Sequence, residues 1–313
     1  MKMGDTSGLY CCFEAAKEYF AQKDYLNAAI EAHWCRMYCK YGEPYGIGDI
    51  TAYEKIASKI YFDSIKKLGS FQLSKSMFIM GSQCEKSLWL YRNKYKERKL
   101  SVDTQKKFDR GHLIGELAQH LFPGGVDASH ILRGECFVDK FKMSLPFNLK
   151  QHSWIENTKV AIKNNLPIYE AAFVFEDVFA AVDILTYTDN GFVAYEVKSS
   201  TDITDTFILD NALQYYVISN NLKLSDFVLI YLNKDYIAEL NIPLDQLTID
   251  NCDITKLFVK ESVLDKILPI QYKVKSDIVR FKNIQKVGEP KIKRGDHCSI
   301  PYECAFIDYC SRY

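Results

Sequence analysis

Ala180-Ala181-Val182-Asp183-Ile184-Leu185, Asp189-Asn190-Gly191 and Ala194-Tyr195-Glu196-Val197-Lys198 are the residues on which the fold turns. Two apolar runs flank an Asn-Gly pair, the strongest short-range hairpin signal, because both residues accept positive φ. With Asn190 and Gly191 as the two loop residues, Asp189 pairs with Phe192 and Asp183 falls across from Lys198. Glu196 then lies diagonal to Asp183 on the same face, since strand side chains alternate with period two. Turn chemistry and strand geometry thus gather two carboxylates and one ammonium.

Such a cluster has a chemical use. Mg²⁺ and Mn²⁺ are hard cations that prefer oxygen ligands, and two carboxylates can hold one against a phosphate. The ion activates a bound water and screens charge, while a neighbouring lysine orients that water or meets the developing negative charge. Glu-x-Lys by itself carries no weight, because Glu97/Lys99 and Glu289/Lys291 fit it too. A cross-strand Asp–Lys pair is commonly a surface salt bridge of little energy. Val182, Ile184, Val193 and Val197 distinguish this pair, because they predict a buried setting in which unexplained charge is costly.

Outward from the hairpin, Glu170–Phe175 reads as a preceding strand, 205–220 as a helix and Phe227–Asn233 as a short apolar strand. Residues 262–286 read as helical with a break at Pro269. Upstream, Ser74 and Ser76 are candidate caps of a helix carrying Cys84, Leu88 and Trp89. A helix over 103–121 is stopped by Pro123-Gly124-Gly125. Residues 9–68 read as helices interrupted by Gly42, Pro44, Gly46 and Gly48. The stretch 14–41 is similar to one tetratricopeptide-type hairpin, but no second copy makes an array. The fold class is therefore α/β, a mixed sheet flanked by helices, with a helical N-terminal extension over 1–70 and a second domain over 71–313.

The chain has 313 residues, 48% hydrophobic and 26% charged, an ordinary globular balance. Its 40 basic and 40 acidic residues cancel, so any footprint for nucleic acid must be local. No basic end precedes an apolar run and no apolar stretch reaches about 18 residues, so neither a signal peptide nor a membrane span is expected, and the location reads as cytoplasmic.

Ten cysteines in such a chain point to metal ligation or burial rather than to a disulfide scaffold. Cys298, Cys304 and Cys310 crowd the last residues, where thiols in series make poor packing elements but good ligands. With Cys84 as the fourth, they suit tetrahedral zinc or an iron–sulfur cubane, and His297 offers a Cys₃His variant. Cys11, Cys12, Cys35 and Cys39 lie among apolar residues of predicted helices and read as core. Two basic runs flank the ligand cysteines. One holds Lys86, Arg92, Lys94, Lys96, Arg98, Lys99, Lys106, Lys107 and Arg110 among Trp89, Tyr91 and Tyr95. The other holds Lys273, Lys275, Arg280, Lys282, Lys286, Lys291, Lys293 and Arg294. Brought together, they would suit a phosphate backbone and unpaired bases; apart, they are ordinary solvated faces.

At these residues the chain resembles the PD-(D/E)XK nuclease superfamily, especially its RecB-like branch. Asp183 matches the motif aspartate, Glu196-Val197-Lys198 the (D/E)-x-K element, and Glu170 the glutamate opening the preceding strand. Gln214 matches a glutamine of the following helix. The branch places a tyrosine four positions later, where this chain has Ile218, so Tyr215 or Tyr216 would take that role. The branch also sets a metal-binding histidine after an Arg-Gly pattern. Here Arg110-Gly111 leads to Gly115, leaving Glu116 as first choice for the third metal ligand and His112 as second. One cysteine before the motifs and three after resembles the branch members with an iron–sulfur cluster, among them the exonucleases of CRISPR adaptation. Those often separate the first two C-terminal cysteines by two residues, where this chain has five.

The resemblance, over roughly 73–310, implies a restriction-endonuclease-like fold and divalent-metal-dependent hydrolysis of phosphodiester bonds, in DNA. Asp183 and Glu196 would hold Mg²⁺ or Mn²⁺, Lys198 would act on the water, and Gln214 and Glu170 would assist. A 4Fe-4S cluster on Cys84, Cys298, Cys304 and Cys310 would staple the chain, with zinc as the alternative. Two other readings stay open: a non-catalytic nucleic-acid-binding subunit, and a zinc-stapled protein that meets partners through its N-terminal helices.

Overall fold

A computed structural model describes residues 6–41, 50–129 and 145–312. They fall into two compact units, one of residues 6–41, 50–71 and 145–156, the other of residues 72–129 and 157–312.

The second unit is built on a mixed seven-stranded sheet. Its strands are β1 (Leu73–Ser74), β2 (Val126–Asp127), β3 (Ile168–Phe175), β4 (Val178–Thr188), β5 (Gly191–Lys198), β6 (Leu224–Leu232) and β7 (Phe258–Ser262). The order is β2-β3-β4-β5-β6-β7, with β1 added to β4. β3, β4 and β5 form an antiparallel meander, and β5 and β6 run parallel. That parallel step needs a crossover, supplied by the helix Asp205–Ser219.

In chain order the helices are α1 (Thr6–Ala21), α2 (Tyr25–Tyr41), α3 (Ile50–Leu68), α4 (Lys75–Gln83), α5 (Glu85–Asn93), α6 (Val102–Gln119), α7 (Phe147–Ile162), α8 (Asp205–Ser219), α9 (Lys234–Leu240), α10 (Ile254–Leu257), α11 (Leu264–Ile267), α12 (Gln271–Asn283) and α13 (Ile307–Cys310). On one sheet face, Ile114, Leu117 and Ala118 of α6 pack on Ile184, Ile230 and Leu232, with Tyr195 and Val197 against them. The other face is covered by α8, which also meets α4 and α12. Side chains alternate along a strand, so Asp183, Glu196 and Lys198 are directed to the α8 face.

The hairpin register differs from the predicted one by two residues. Thr188 pairs with Gly191 and Ile184 with Tyr195, leaving Asp189 and Asn190 as the turn. Gly191, at φ +129°, opens β5, and a Cβ there would lie 2.7 Å from the Lys223 carbonyl oxygen. The glycine is therefore needed where the chain passes Lys223, rather than inside a type I′ loop. A two-residue slip preserves the faces, but continuing this register sets Asp183 opposite Glu196 instead of Lys198.

Other elements also depart from expectation. The helix predicted to carry Cys84 is broken there: Cys84 is extended at φ −160° and joins α4 to α5. Ser74 caps α4, its hydroxyl accepting from the Met77 amide at 3.4 Å. Within 262–286 the break at Pro269 is present, but the segment is preceded by β7. Gly125 ends the stop after α6, where a Cβ would meet the Tyr169 ring at 2.3 Å.

In the first unit α1, α2 and α3 enclose Leu9, Phe13, Ala29, Ile30, Trp34 and Ala57, joined by Leu145 and Leu149. Cys12 and Cys35 are buried in this core, while Cys11 is exposed. Burial pushes the Cys35 thiol up to about 12, helped by Cys39, and holds neutral His33 down at about 4. The described residues contain no helix long and apolar enough to cross a membrane.

Candidate active site

Backbone pairing between β4 and β5 stops at Ile184 and Tyr195, and the Asp183 side chain takes over. Its Oδ2 accepts the Val197 amide at 2.6 Å. Beyond this point β4 pairs with β1, Leu73 facing Val178 and Ser74 facing Phe179. The next residue, Lys75, opens α4 and sends its Nζ to Glu196 Oε1 at 2.8 Å. Lys198 Nζ donates to the same Oε1 and to Asp210 Oδ2 of α8, each at 2.6 Å.

Glu196 is 1% exposed, which separates it from the decoys. Glu97 pairs with Arg312, and Glu289 pairs with Lys86 at 3.0 Å on the surface. Within the cluster, burial pushes Asp183 up to about 7, Glu196 adds to the rise, and Lys75, Lys198 and the Val197 amide oppose it. Glu170, at φ +54° in β3 and opposite Asp183 by the flanking register, is pushed up to about 8 by burial and by Asp183. A glutamate held at positive φ inside a strand is strained, as functional positions often are. Burial would also raise Glu196, but Lys198 and Lys75 outweigh it and hold the group down at about 2. The carboxylates of Asp210, Glu196 and Asp183 likewise overcome burial at Lys75 and Lys198, so both ammoniums are retained.

Asp183, Glu196, Lys198 and Glu170 are thus brought together, with Lys75 and Asp210 joining them. Sequence reasoning missed these last two. Lys75 follows a two-residue strand too short to leave a pattern, and Asp210 is polar on a helix buried on nearly every side. Gln214, one turn beyond Asp210, is fully buried with neither amide atom hydrogen-bonded. Glu116 and His112 do not join the cluster. α6 turns Ile114, Leu117 and Ala118 inward, and a helix that buries those positions leaves 112 and 116 exposed. Tyr216 is also remote from it, its hydroxyl reaching Glu176 at the β3–β4 turn at 3.3 Å. Tyr302, between Cys298 and Cys304, is raised chiefly by burial, with Lys198 and Asp210 as smaller opposing influences.

Cys84, Cys298, Cys304 and Cys310 line one pocket together with His297. The Cys304 amide closes the loop onto the Cys298 carbonyl at 2.8 Å. Gln83 Nε2 donates to the His297 and Tyr302 carbonyls at 2.8 and 2.6 Å, tying the loop to the end of α4. Leu90, Phe306 and Tyr309 form an apolar collar beside Cys304 and Cys310. Burial raises the Cys84 thiol; the Ser87 and Lys86 amides oppose this, while Cys304 and Cys298 add to it. Four thiols around one space are a donor set that fits a thiolate-ligated centre.

Much of the two basic runs is engaged in stitching. Lys99 meets Asp308 at 2.9 Å, Lys94 donates to the Tyr309 hydroxyl at 2.9 Å, and Arg280 bridges Asp277 and Glu85. These contacts fasten the C-terminal segment and α12, so the cations involved do not form an open phosphate track.

Among the described residues no three His, Cys, Asp or Glu side chains are drawn in to the spacing of a coordinated metal. The acidic cluster nevertheless fits a divalent cation on two counts. Glu196 Oε2 and Asp210 Oδ1 are buried and lack a hydrogen-bond partner. Asp183 and Glu170 stand beside them, each raised by burial and by a neighbouring carboxylate, a crowding that a cation would relieve. Compared with protein-family models, curated proteins and solved structures, the chain matches none.

Proposed function

We propose that the protein is a divalent-metal-dependent nuclease of the PD-(D/E)XK kind, with a restriction-endonuclease-like sheet and DNA as substrate. The observation that carries this reading is the buried meeting of Asp183 and Glu196 on one sheet face, with Lys198 at 2.6 Å from Glu196. Charges so placed stabilise the fold poorly, since ion pairs of this burial roughly cancel their desolvation. Their value is chemical.

Asp183, Glu196 and Glu170 would hold the cation, Glu170 supplying what Glu116 and His112 do not. A bound Mg²⁺ or Mn²⁺ supplies Lewis-acid chemistry at the phosphodiester. Lys198, fixed between Glu196 and Asp210, orients the attacking water. A water oxygen–phosphorus bond forms and the phosphorus–ester oxygen bond breaks; the water gives up a proton to solvent and the leaving ester oxygen takes one up. Gln214 offers an uncommitted amide to the lysine end of the cluster. Cys84, Cys298, Cys304 and Cys310 would hold a 4Fe-4S cluster, with zinc as the alternative occupant, and so fasten the C-terminal loop to the end of α4.

The test is cleavage of single- and double-stranded DNA with Mg²⁺ or Mn²⁺, comparing wild type with Lys198→Ala. Loss of at least about a hundredfold in rate with DNA binding retained is expected. Unchanged cleavage would remove Lys198 from the mechanism. Wild-type protein that binds DNA but never cuts it would favour a binding subunit, the reading motivated by Gly115 at the histidine position.

A further inference from the structure

Two ammoniums converge on Glu196 Oε1, and they are held differently. Lys198 is gripped from two sides at 2.6 Å and its side chain is 17% exposed. Lys75 makes one ion pair, at 2.8 Å, and its side chain is 32% exposed. Its backbone is well placed: β1 fixes Ser74 against Phe179, and Ser74 caps the helix that Lys75 opens. An anchored root with a singly paired ammonium, on a side chain less enclosed than that of Lys198, is the arrangement of a group that changes partner.

We propose that Lys75 is a second substrate-facing ammonium of this centre, holding Glu196 while no divalent cation is bound and binding a non-bridging phosphate oxygen of the nucleic acid once one is. The inference rests on the nuclease reading above and adds a residue to it. Like charges repel, so adding a dication beside Glu196 weakens the hold of whichever ammonium is less secured. Lys198 keeps its 2.6 Å pair with Asp210 in that event, whereas Lys75 feels Asp210 and Asp183 without a second close ion pair to hold it. The side chain is long enough to keep α4 in place while its charge moves, and an ammonium serves a phosphate as a point charge without needing a planar fork.

The test is Mn²⁺ binding by the full chain without DNA, read by electron paramagnetic resonance, beside cleavage at saturating Mn²⁺. Lys75→Met is expected to bind Mn²⁺ about tenfold more tightly, because a competing charge is gone. It is expected to cleave at least about a hundredfold more slowly, because a phosphate partner is gone. Lys75→Arg should keep wild-type Mn²⁺ affinity and part of the rate. If Lys75→Met does not fold, Lys75→Gln, which still donates to Glu196 but carries no charge, makes the same comparison. Weaker Mn²⁺ binding in the neutral variant overturns the inference, since the lysine would then be organising the acids. Cleavage and binding equal to wild type overturn it as well. Wild-type protein that neither binds Mn²⁺ nor cuts removes the nuclease reading and this inference with it. Wild type that does both, matched by Lys75→Met, removes the inference alone.

Discussion

Glu196 carries two ammoniums on one oxygen and no hydrogen-bond partner on the other, while Asp183 and Glu170 beside it are pushed up to about 7 and about 8. Burial and mutual repulsion raise two carboxyls while two ammoniums lower the third, an imbalance that has consequences for pH. A carboxyl whose folded value lies above its unfolded one binds more protons folded than unfolded. Its contribution to stability is complete below about pH 4 and is lost as the pH rises through the folded values. Glu196, depressed to about 2, contributes with the opposite sign, but only below about pH 4.5. Between pH 5 and pH 8 the raised pair outweighs His33, which is held at about 4 and gains stability only up to about pH 6.5, so metal-free protein should lose on the order of a few kcal/mol as the pH rises. Mn²⁺ should restore more stability at about pH 8 than at about pH 5.5, because there it displaces fewer protons. Urea unfolding at both pH values, with chelator and with excess Mn²⁺, measures this. A metal-free midpoint that rises with pH over that range would show that the acids are not crowded as described.

Hairpin and helix explain which parts of the site the sequence could announce. Gly191 stands where β5 starts against Lys223, with positive φ and no room for a Cβ. Gly191→Ala should therefore cost about 2 kcal/mol or more, read as a lower urea midpoint with an unchanged slope. A midpoint within error of wild type would mean that β5 can leave Lys223 at no cost. The same glycine shows the limit of local reading. Asn-Gly identified the hairpin, and period-two alternation put Asp183, Glu196 and Lys198 on one face. The true register depends on Lys223, more than thirty residues away, and nothing near the turn encodes it. Lys75 and Asp210 escaped for a related reason: each reaches Glu196 or Lys198 through tertiary packing, so no spacing in the chain relates them to the hairpin. Cys84 was identifiable as a lone polar-flanked thiol, but the helix break that presents it was not, since Ser82-Gln83-Cys84-Glu85 contains neither glycine nor proline. Glu116 stood next to the position that the Arg110-Gly111 pattern marks, yet the apolar positions 114, 117 and 118 set the rotation of α6 and turn it outward.

At the scale of the molecule, α7 runs across the boundary between the two units. Its residues 147–156 lie with the N-terminal helices and the rest with the sheet. In the sheet unit, Thr158 Oγ1 accepts the Ala172 amide at 2.9 Å and Asn157 Nδ2 donates to the Ala128 carbonyl at 3.0 Å. In the helical unit, Leu145 and Leu149 are buried among Leu9, Phe13, Ile30 and Trp34. A chain reduced to residues 72–313 keeps Leu145 and Leu149 but loses the side chains that cover them. Each buried leucine side chain accounts for about 2 kcal/mol of transfer free energy, and the pair exposes an apolar patch when its cover is gone. The truncated chain should therefore bind a hydrophobic dye and associate on size-exclusion chromatography, whereas full-length protein does neither. Replacing both residues in the truncated chain, Leu145→Gln and Leu149→Gln, should reverse the dye binding while leaving far-ultraviolet circular dichroism unchanged. If the unmodified truncation stays monomeric and dye-silent, the N-terminal helices do not cover α7 in solution. If the double replacement leaves dye binding in place, the exposed surface lies elsewhere in the truncated chain and Leu145 and Leu149 are not its source.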